Sequence, residues 1–280
     1  MKKMKLGISY NLFDGEELLE SSILSVRKEA YHINVIYQTT SYYGNKANDN
    51  LESHLKHLKE KGLIDEIYHY NKVFDQNDKH IYEIEKRNIG LDISRKAGCT
   101  HFLSMDVDEF YDSEQLKNAK YYILRNKICT SAVSIIEYLK EPTYKFVNSY
   151  TFTFTHGDIY NFYVPFIMKI HHFKKQKHNR KWYPCLVDPS RALNNKEKFY
   201  LFPKQNIVMH HMSTIRKNLS DKYNNSNFNN GTDEAVTSMI KEVQKDIIEW
   251  DFEKYQISEK YSLFQNKLIE KTKNIFNINI

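Results

Sequence analysis

Apolar positions along the first 110 residues alternate between short β-branched runs and longer stretches at helical spacing. Lys5–Tyr10 reads as an opening strand, and Asn11-Leu12-Phe13-Asp14-Gly15 as the loop after it. From Glu16 to Arg27, Leu18, Leu19, Ile23 and Val26 fall on one helical face, with acids in the first turn. Ile33–Gln38 is a second strand, and the polar, aromatic residues 39–45 form a loop. Leu51, Leu55, Leu58 and Leu63 mark another helix that ends near Gly62, and Glu66–Tyr70 is a third strand. A longer helix runs from about Tyr82 to Lys96, closed by Gly98, and His101–Asp106 is the fourth strand. The order β-α-β-α-β-α-β predicts an α/β fold with a parallel sheet and right-handed crossovers.

Beyond residue 111 the rhythm changes. Ser113–Asn126 predicts a helix and Thr130–Ile136 a strand. Segments near 146–155, 162–171 and 198–209, rich in Tyr, Phe, Ile and Val, predict further strands or aromatic-lined loops with antiparallel pairing. A helix is expected to begin over Lys217–Tyr223. An Asn-rich loop covers 224–231, a helix Ala235–Trp250, and a polar tail ends the chain. No internal repeat and no linker divides it. The expected organisation is a ligand-binding half over 1–112, a second half of the same domain over 113–215, and a helical extension over 216–280.

The chemistry concentrates where the fourth strand ends. In Phe102-Leu103-Ser104-Met105-Asp106-Val107-Asp108-Glu109-Phe110, an apolar run gives way to three carboxylates. Continued strand alternation would point Asp106 and Asp108 the same way, and two such carboxylates repel unless a cation lies between them. Oxygen ligands of this kind suit Mg²⁺ or Mn²⁺. The competing explanation is a helix-capping cluster, since Asp112 and Ser113 follow directly. Ligands of parallel sheets bind outside the carboxyl ends of the strands, which brings Tyr10-Asn11, Gln38 and Asp106–Glu109 to one edge. That convergence favours metal binding over capping.

Composition narrows the setting. The hydrophobic fraction of 41% suffices for a core, and 21 tyrosines suit half-buried, ligand-lining surface. No apolar run approaches the ~18 residues of a membrane span, and the basic N-terminus is followed by a segment too short and polar for a signal peptide. Cys99, Cys129 and Cys185 are widely spaced and odd in number, as expected of reduced thiols in a cytoplasmic protein. The net charge is +6, with basic residues gathered at 169–181. That cluster admits a peripheral contact with an anionic membrane or a phosphate as well as a solvated loop. No Gly-x-Gly-x-x-Gly follows a strand and no P-loop occurs, so a bound diphosphate would depend on side chains and a metal.

Lys86–Gly98 followed by Phe102–Phe110 resembles the GT-A glycosyltransferases, particularly bacterial family-2-like enzymes with a D-x-D-E-F motif. The resemblance covers about residues 4–112 and extends more loosely to His211. It implies a GT-A, Rossmann-like sheet with a mixed acceptor side. It also implies transfer of a sugar from a nucleotide-diphosphate donor, with UDP the commonest in the family, to a glycan or lipid-linked glycan acceptor in surface polysaccharide (capsule or lipooligosaccharide) synthesis. By the resemblance, Asp108 would bind Mn²⁺ or Mg²⁺ directly, and Asp106 would contact ribose or metal. Glu109 would orient Asp108 or meet the sugar. Tyr10, Asn11 and Gln38 would line the nucleoside pocket, with Gln38 standing where the family commonly has an acid. Lys86 and Arg87 would face base or diphosphate, or else form a solvent-exposed helix face. His210 and His211 lie where the family places a third metal ligand. Adjacent strand residues face opposite ways, so at most one can serve, and His211 is preferred. Asp188 is the first candidate for the general base of an inverting enzyme, with Asp158 and Glu137 as weaker ones. The expected location is cytoplasmic, with peripheral contact at the inner membrane face; nucleic acid is not an expected partner. A nucleotidyltransferase and a non-catalytic carbohydrate- or nucleic-acid-binding module are the alternatives.

Overall fold

The computed structural model describes residues 3–74, 79–147, 151–152, 160–161, 163–172, 198–225, 234–255 and 269–280. Its first half alternates strands and helices: β1 (Leu6–Leu12), α1 (Glu16–Val26), β2 (His32–Tyr37), α2 (Leu51–Glu60), β3 (Glu66–His69), α3 (Lys79–Lys96) and β4 (His101–Asp106). Then come β5 (Glu109–Phe110), α4 (Ser113–Asn126), β6 (Thr130–Leu139), β7 (Glu141–Phe146), β8 (Thr151–Phe152), β9 (Tyr160–Asn161) and β10 (Tyr163–Lys169). The remaining elements are β11 (Phe199–Leu201), β12 (Val208–His211), α5 (Leu219–Asn224), α6 (Glu234–Glu249), α7 (Phe252–Tyr255) and β13 (Ile269–Lys271).

The four early strands pair in parallel in the order β3-β2-β1-β4, as the alternating pattern predicts. Past β4 the sheet becomes mixed. β10 runs antiparallel to both β4 and β6, while β11 and β12 run parallel to β6, so the expectation of antiparallel pairing holds for only part of this half. Apolar side chains give no strand direction, and the chain reverses only where connections permit. The architecture is a mixed α/β, Rossmann-like sheet with helices against it. The β4–β1 boundary is a reversal point: β2 and β3 extend to one side of β1, β4 to the other.

Packing on the two faces follows strand alternation. Tyr10 and Met105 face one side, where Tyr10 is fully buried and its hydroxyl meets Ser22 Oγ of α1 at 3.1 Å. Ser9, Asn34 and Ser104 face the other, under α3, where Asn34 Nδ2 donates to Gly90 O and Ser94 Oγ at 3.3 and 3.0 Å. α3 lies very close to β1 here. A Cβ at Gly90 would sit 1.8 Å from Ser9 Oγ and 2.6 Å from Ser9 Cβ. Only glycine lets the helix settle at this depth.

At the opposite end of β4, His101 is buried beside Lys169 and His171, and burial, followed by the influence of those two residues, pushes its imidazole down to about 4. The folded protein therefore keeps this imidazole neutral while the unfolded chain takes up a proton from about pH 6.5 downward. Stability falls between about pH 6.5 and 4 and is insensitive to this group below 4. The full effect is on the order of 3 kcal/mol. His210, which burial also lowers to about 4, acts in the same sense. In urea denaturation at pH 7.5 and 4.5, His101→Gln should lose part of the acid-side decline and leave the His210 share. An unchanged decline would show that His101 does not carry it.

Among the described residues no helix is long and apolar enough to cross a membrane. Cys99 and Cys129 are free and buried; Cys185 and the basic residues 173–181 lie outside the described residues.

Candidate active site

β4 ends at Asp106, and Val107-Asp108 turn before β5 begins. The turn breaks the strand alternation, so Asp106 and Asp108 do not share a partner set as simple periodicity predicts. Asp106, with a side chain 34% exposed, accepts from Arg87 Nη2 at 3.1 and 3.3 Å, and Arg87 Nη1 reaches Ser104 Oγ at 2.7 Å. Glu109 is buried; its Oε2 accepts from the Asp106 backbone N–H at 3.0 Å and so ties the turn together. The helix cap considered as the competing explanation falls to Asp112 alone, whose Oδ1 accepts from Gln115 N at 2.8 Å at the start of α4.

Asp108 is buried, and both its oxygens meet cationic or ring-nitrogen groups. Oδ2 accepts from Arg216 Nη2 and from Lys222 Nζ, each at 2.6 Å, while Oδ1 lies 3.6 Å from His211 Nε2. His211 Nδ1 is 2.8 Å from Glu137 Oε1. The strand registers explain this meeting. β12 lies between β5 and β6, pairing His211 with Glu109 on one side and with Glu137 on the other. His210 faces the opposite way, with Nδ1 2.9 Å from Tyr138 OH and its ring against Phe276. Burial pushes the Asp108 carboxyl up, but Lys222, Arg216 and His211 outweigh it and hold it well below the usual carboxylate range. Burial opposes a charge on His211, yet Glu137 and Asp108 raise it to about 10, so the ring is an imidazolium at neutral pH.

Arg216 and Lys222 belong to a strap formed by residues 212–225. The strap is anchored by Met212 N to Asp108 O at 2.7 Å, Lys217 N to Glu17 Oε1 at 3.1 Å and Asn45 Nδ2 to Asn225 Oδ1 at 2.9 Å. Its Arg216 side chain is only 4% exposed. The guanidinium rests on Gly15, at the left-handed N-cap of α1, where a Cβ would be 3.0 Å from Arg216 Cζ. Asp14 lies in the same field. Burial pushes its carboxyl up, with Arg216 and Lys222 pulling against that.

The remaining predicted positions divide between the site and the core. Asn11 lies in register with Asp106 at the β1–β4 boundary, is 8% exposed, and neither Nδ2 nor Oδ1 has a hydrogen-bond partner. Tyr10 is corrected to the core: neighbours on a strand face opposite ways, so it cannot line the same pocket as Asn11. Gln38 and Lys86 are both buried and bonded to each other, Lys86 Nζ donating to Gln38 Oε1 at 2.9 Å. Gln38 Nε2 donates to Thr40 O at 2.8 Å, and Lys86 also pairs with Glu83 at 2.9 Å. Lys86 and Arg87 therefore form no solvent-exposed helix face. Glu137 is engaged with His211, and Asp158 and Asp188 lie outside the described residues. Arg216, Lys222 and Asp14 are the charged residues that reasoning along the chain missed. The only hint was the basic character of the segment after His211.

A divalent ion does not fit this arrangement. A carboxylate that would attract it already has two cations on Oδ2. At an effective dielectric of 20, unit charges 4 Å apart interact by ~4 kcal/mol, so a divalent ion gains about twice that from Asp108 and loses a comparable amount to each of two neighbours. Among the described residues no group of three or more His, Cys, Asp or Glu side chains is placed to hold a metal.

No protein-family model matches the chain, and no curated protein does. Among solved structures it is similar to the crystal structure of S. aureus TarS, with 13% identity, a TM-score of 0.45, and coverage of 94% of this chain and 43% of that one. The TarS 1–349 complex with UDP matches at 10% identity and a TM-score of 0.46, covering 90% of this chain and 77% of that one. The TarS 1–349 complex with UDP-GlcNAc matches at 13% identity and a TM-score of 0.41, covering 93% and 76%. The chain thus spans less than half of the first of these.

Proposed function

We propose that this chain is a glycosyltransferase that takes a nucleotide-diphosphate sugar as donor. The observation that carries the reading is Asn11: a buried amide with neither end bonded, beside Asp106 at the strand-order reversal of a Rossmann-like sheet. Ligands of such sheets bind at that crevice. An unmet buried amide costs about 1–3 kcal/mol per group, which a bound nucleoside hydroxyl or base edge would offset. Asp106, part-exposed beside it, would accept from a ribose hydroxyl, and Arg216 and Lys222 beside Asp108 would receive the diphosphate.

In the transfer, the acceptor oxygen bonds to the anomeric carbon, whose bond to the diphosphate oxygen breaks with the electron pair leaving on the diphosphate. In an inverting transfer the acceptor proton would pass to a carboxylate base, for which Asp188 is the first candidate. UDP as the nucleotide and a surface glycan as acceptor belong to the same proposal and rest on the sequence resemblance; peripheral membrane contact rests on the basic residues at 169–181.

Thermal shift against UDP, GDP, CMP and dTDP, each with and without Mn²⁺, tests the reading: one nucleotide should raise the melting temperature in at least one condition. Asn11→Leu, nearly the same shape, should make the free protein about 1–2 kcal/mol more stable while shrinking that nucleotide's shift. A protein indifferent to every nucleotide, or an Asn11→Leu variant with the full shift, would remove the support.

A further inference from the structure

The D-x-D pattern leads to the expectation of a metal, yet Asp108 is already paired with two cationic side chains. Two cationic side chains of the 212–225 strap converge on Asp108 Oδ2 at 2.6 Å each, so the immediate trio carries one negative and two positive charges. Arg216 Nε is buried with no hydrogen-bond partner, so its guanidinium retains an unused donor. The guanidinium lies against Gly15, whose missing side chain makes room for it between the end of β1 and the start of α1. This is the edge where Asp106 ends β4, in register with Asn11 of β1.

We propose that Arg216 and Lys222, held in place by Asp108, bind and neutralise the diphosphate of the donor without a divalent cation. The proposal rests on the nucleotide-sugar reading above and departs from the metal chemistry that the motif implies. Asp108 is then a positioning residue: it keeps two cations together on the strap while no donor is bound. When the donor enters, the diphosphate oxygens take over as acceptors for the guanidinium and the ammonium. As the anomeric carbon–oxygen bond breaks, the charge left on the diphosphate is met by the same two groups. Lys222, on the short helix α5 and partly exposed, is the cation best able to follow the ligand.

The experiment is isothermal titration calorimetry of the intact chain with UDP, GDP, CDP, dTDP and inorganic pyrophosphate, each in EDTA and in excess MnCl₂. At least one nucleoside diphosphate should bind in EDTA as tightly as in Mn²⁺. Lys222→Met should weaken that binding by about thirtyfold or more, the usual loss when one partner of a desolvated charge pair is truncated. Asp108→Asn, which keeps the shape and removes the charge, should retain or tighten binding in EDTA; on a metal-ligand role it would abolish binding. Because Asp108→Asn disturbs buried cations, Lys222→Met at a partly exposed position serves as the independent variant. Binding that appears only with Mn²⁺ would overturn this inference and leave the glycosyltransferase reading standing. Failure of every diphosphate in both conditions would remove that reading and this inference together.

Discussion

Gly90→Ala should cost about 3 kcal/mol of folding stability and lower the melting temperature by roughly 6–12 °C, although alanine is the better helix former. An exposed helical glycine changed to alanine would gain nearly 1 kcal/mol, so even the sign of the result is informative. The added methyl would lie 1.8 Å from Ser9 Oγ and 2.6 Å from Ser9 Cβ. The hydroxyl can rotate away. The Cβ cannot move unless β1 moves, and β1 is paired on both sides by β2 and β4. Separating α3 from the sheet would also disturb Lys86 and Arg87, and with them the contacts to Gln38, Ser104 and Asp106. Ser9→Gly should restore most of the loss by removing the obstructing atoms, with a coupling energy of about 2–3 kcal/mol in a urea-denaturation double-mutant cycle. A Gly90→Ala protein as stable as the wild type would show that helix and strand are not in the contact described.

Asp108→Ala should be comparably severe, at about 3–5 kcal/mol, because it leaves buried cations without their counter-charge. The three partners differ in how they can escape. His211 can release its proton, and Lys222, partly exposed, can swing into water. Arg216 can do neither: it is almost wholly buried, and guanidinium does not deprotonate in proteins. The loss is therefore concentrated in one residue. Asp108→Ala/Arg216→Met should be more stable than Asp108→Ala alone, an inversion of the usual additivity. If the second substitution adds further loss instead, the buried-charge account of the strap is wrong. Binding and stability pull in opposite directions here, as they do at Asn11.

How far the site could be read along the chain depends on the range of each signal. Asn11, Asp106 and Asp108 could be assigned to one sheet edge because the carboxyl-edge rule places the ends of parallel strands without knowledge of any partner. Strand alternation says that only one of His210 and His211 can face the carboxylates, and the structure has His211 beside Asp108 and His210 beside Tyr138. Tyr10 was misread by ignoring that same alternation one residue before Asn11. The shared orientation of Asp106 and Asp108 failed because the strand stops at Asp106, a boundary that composition does not mark.

The residues that turn a carboxylate pair into a charge-balanced site were invisible for a different reason. Arg216 and Lys222 lie 108 and 114 positions beyond Asp108, on a segment whose own pattern says only that it is polar and basic. Local spacing determines which residues form each strand and helix, which side chains share a face, and that polar strand ends gather at one edge; these are short-range consequences of backbone geometry. What meets those strand ends is decided by loop paths and mixed pairing over more than a hundred residues, and no periodicity encodes that. By itself the sequence determined a β-α-β sheet with carboxylates at its carboxyl edge. Only the tertiary structure decided that one of those carboxylates, Asp108, faces an arginine and a lysine, because only folding brings the 212–225 strap across that edge.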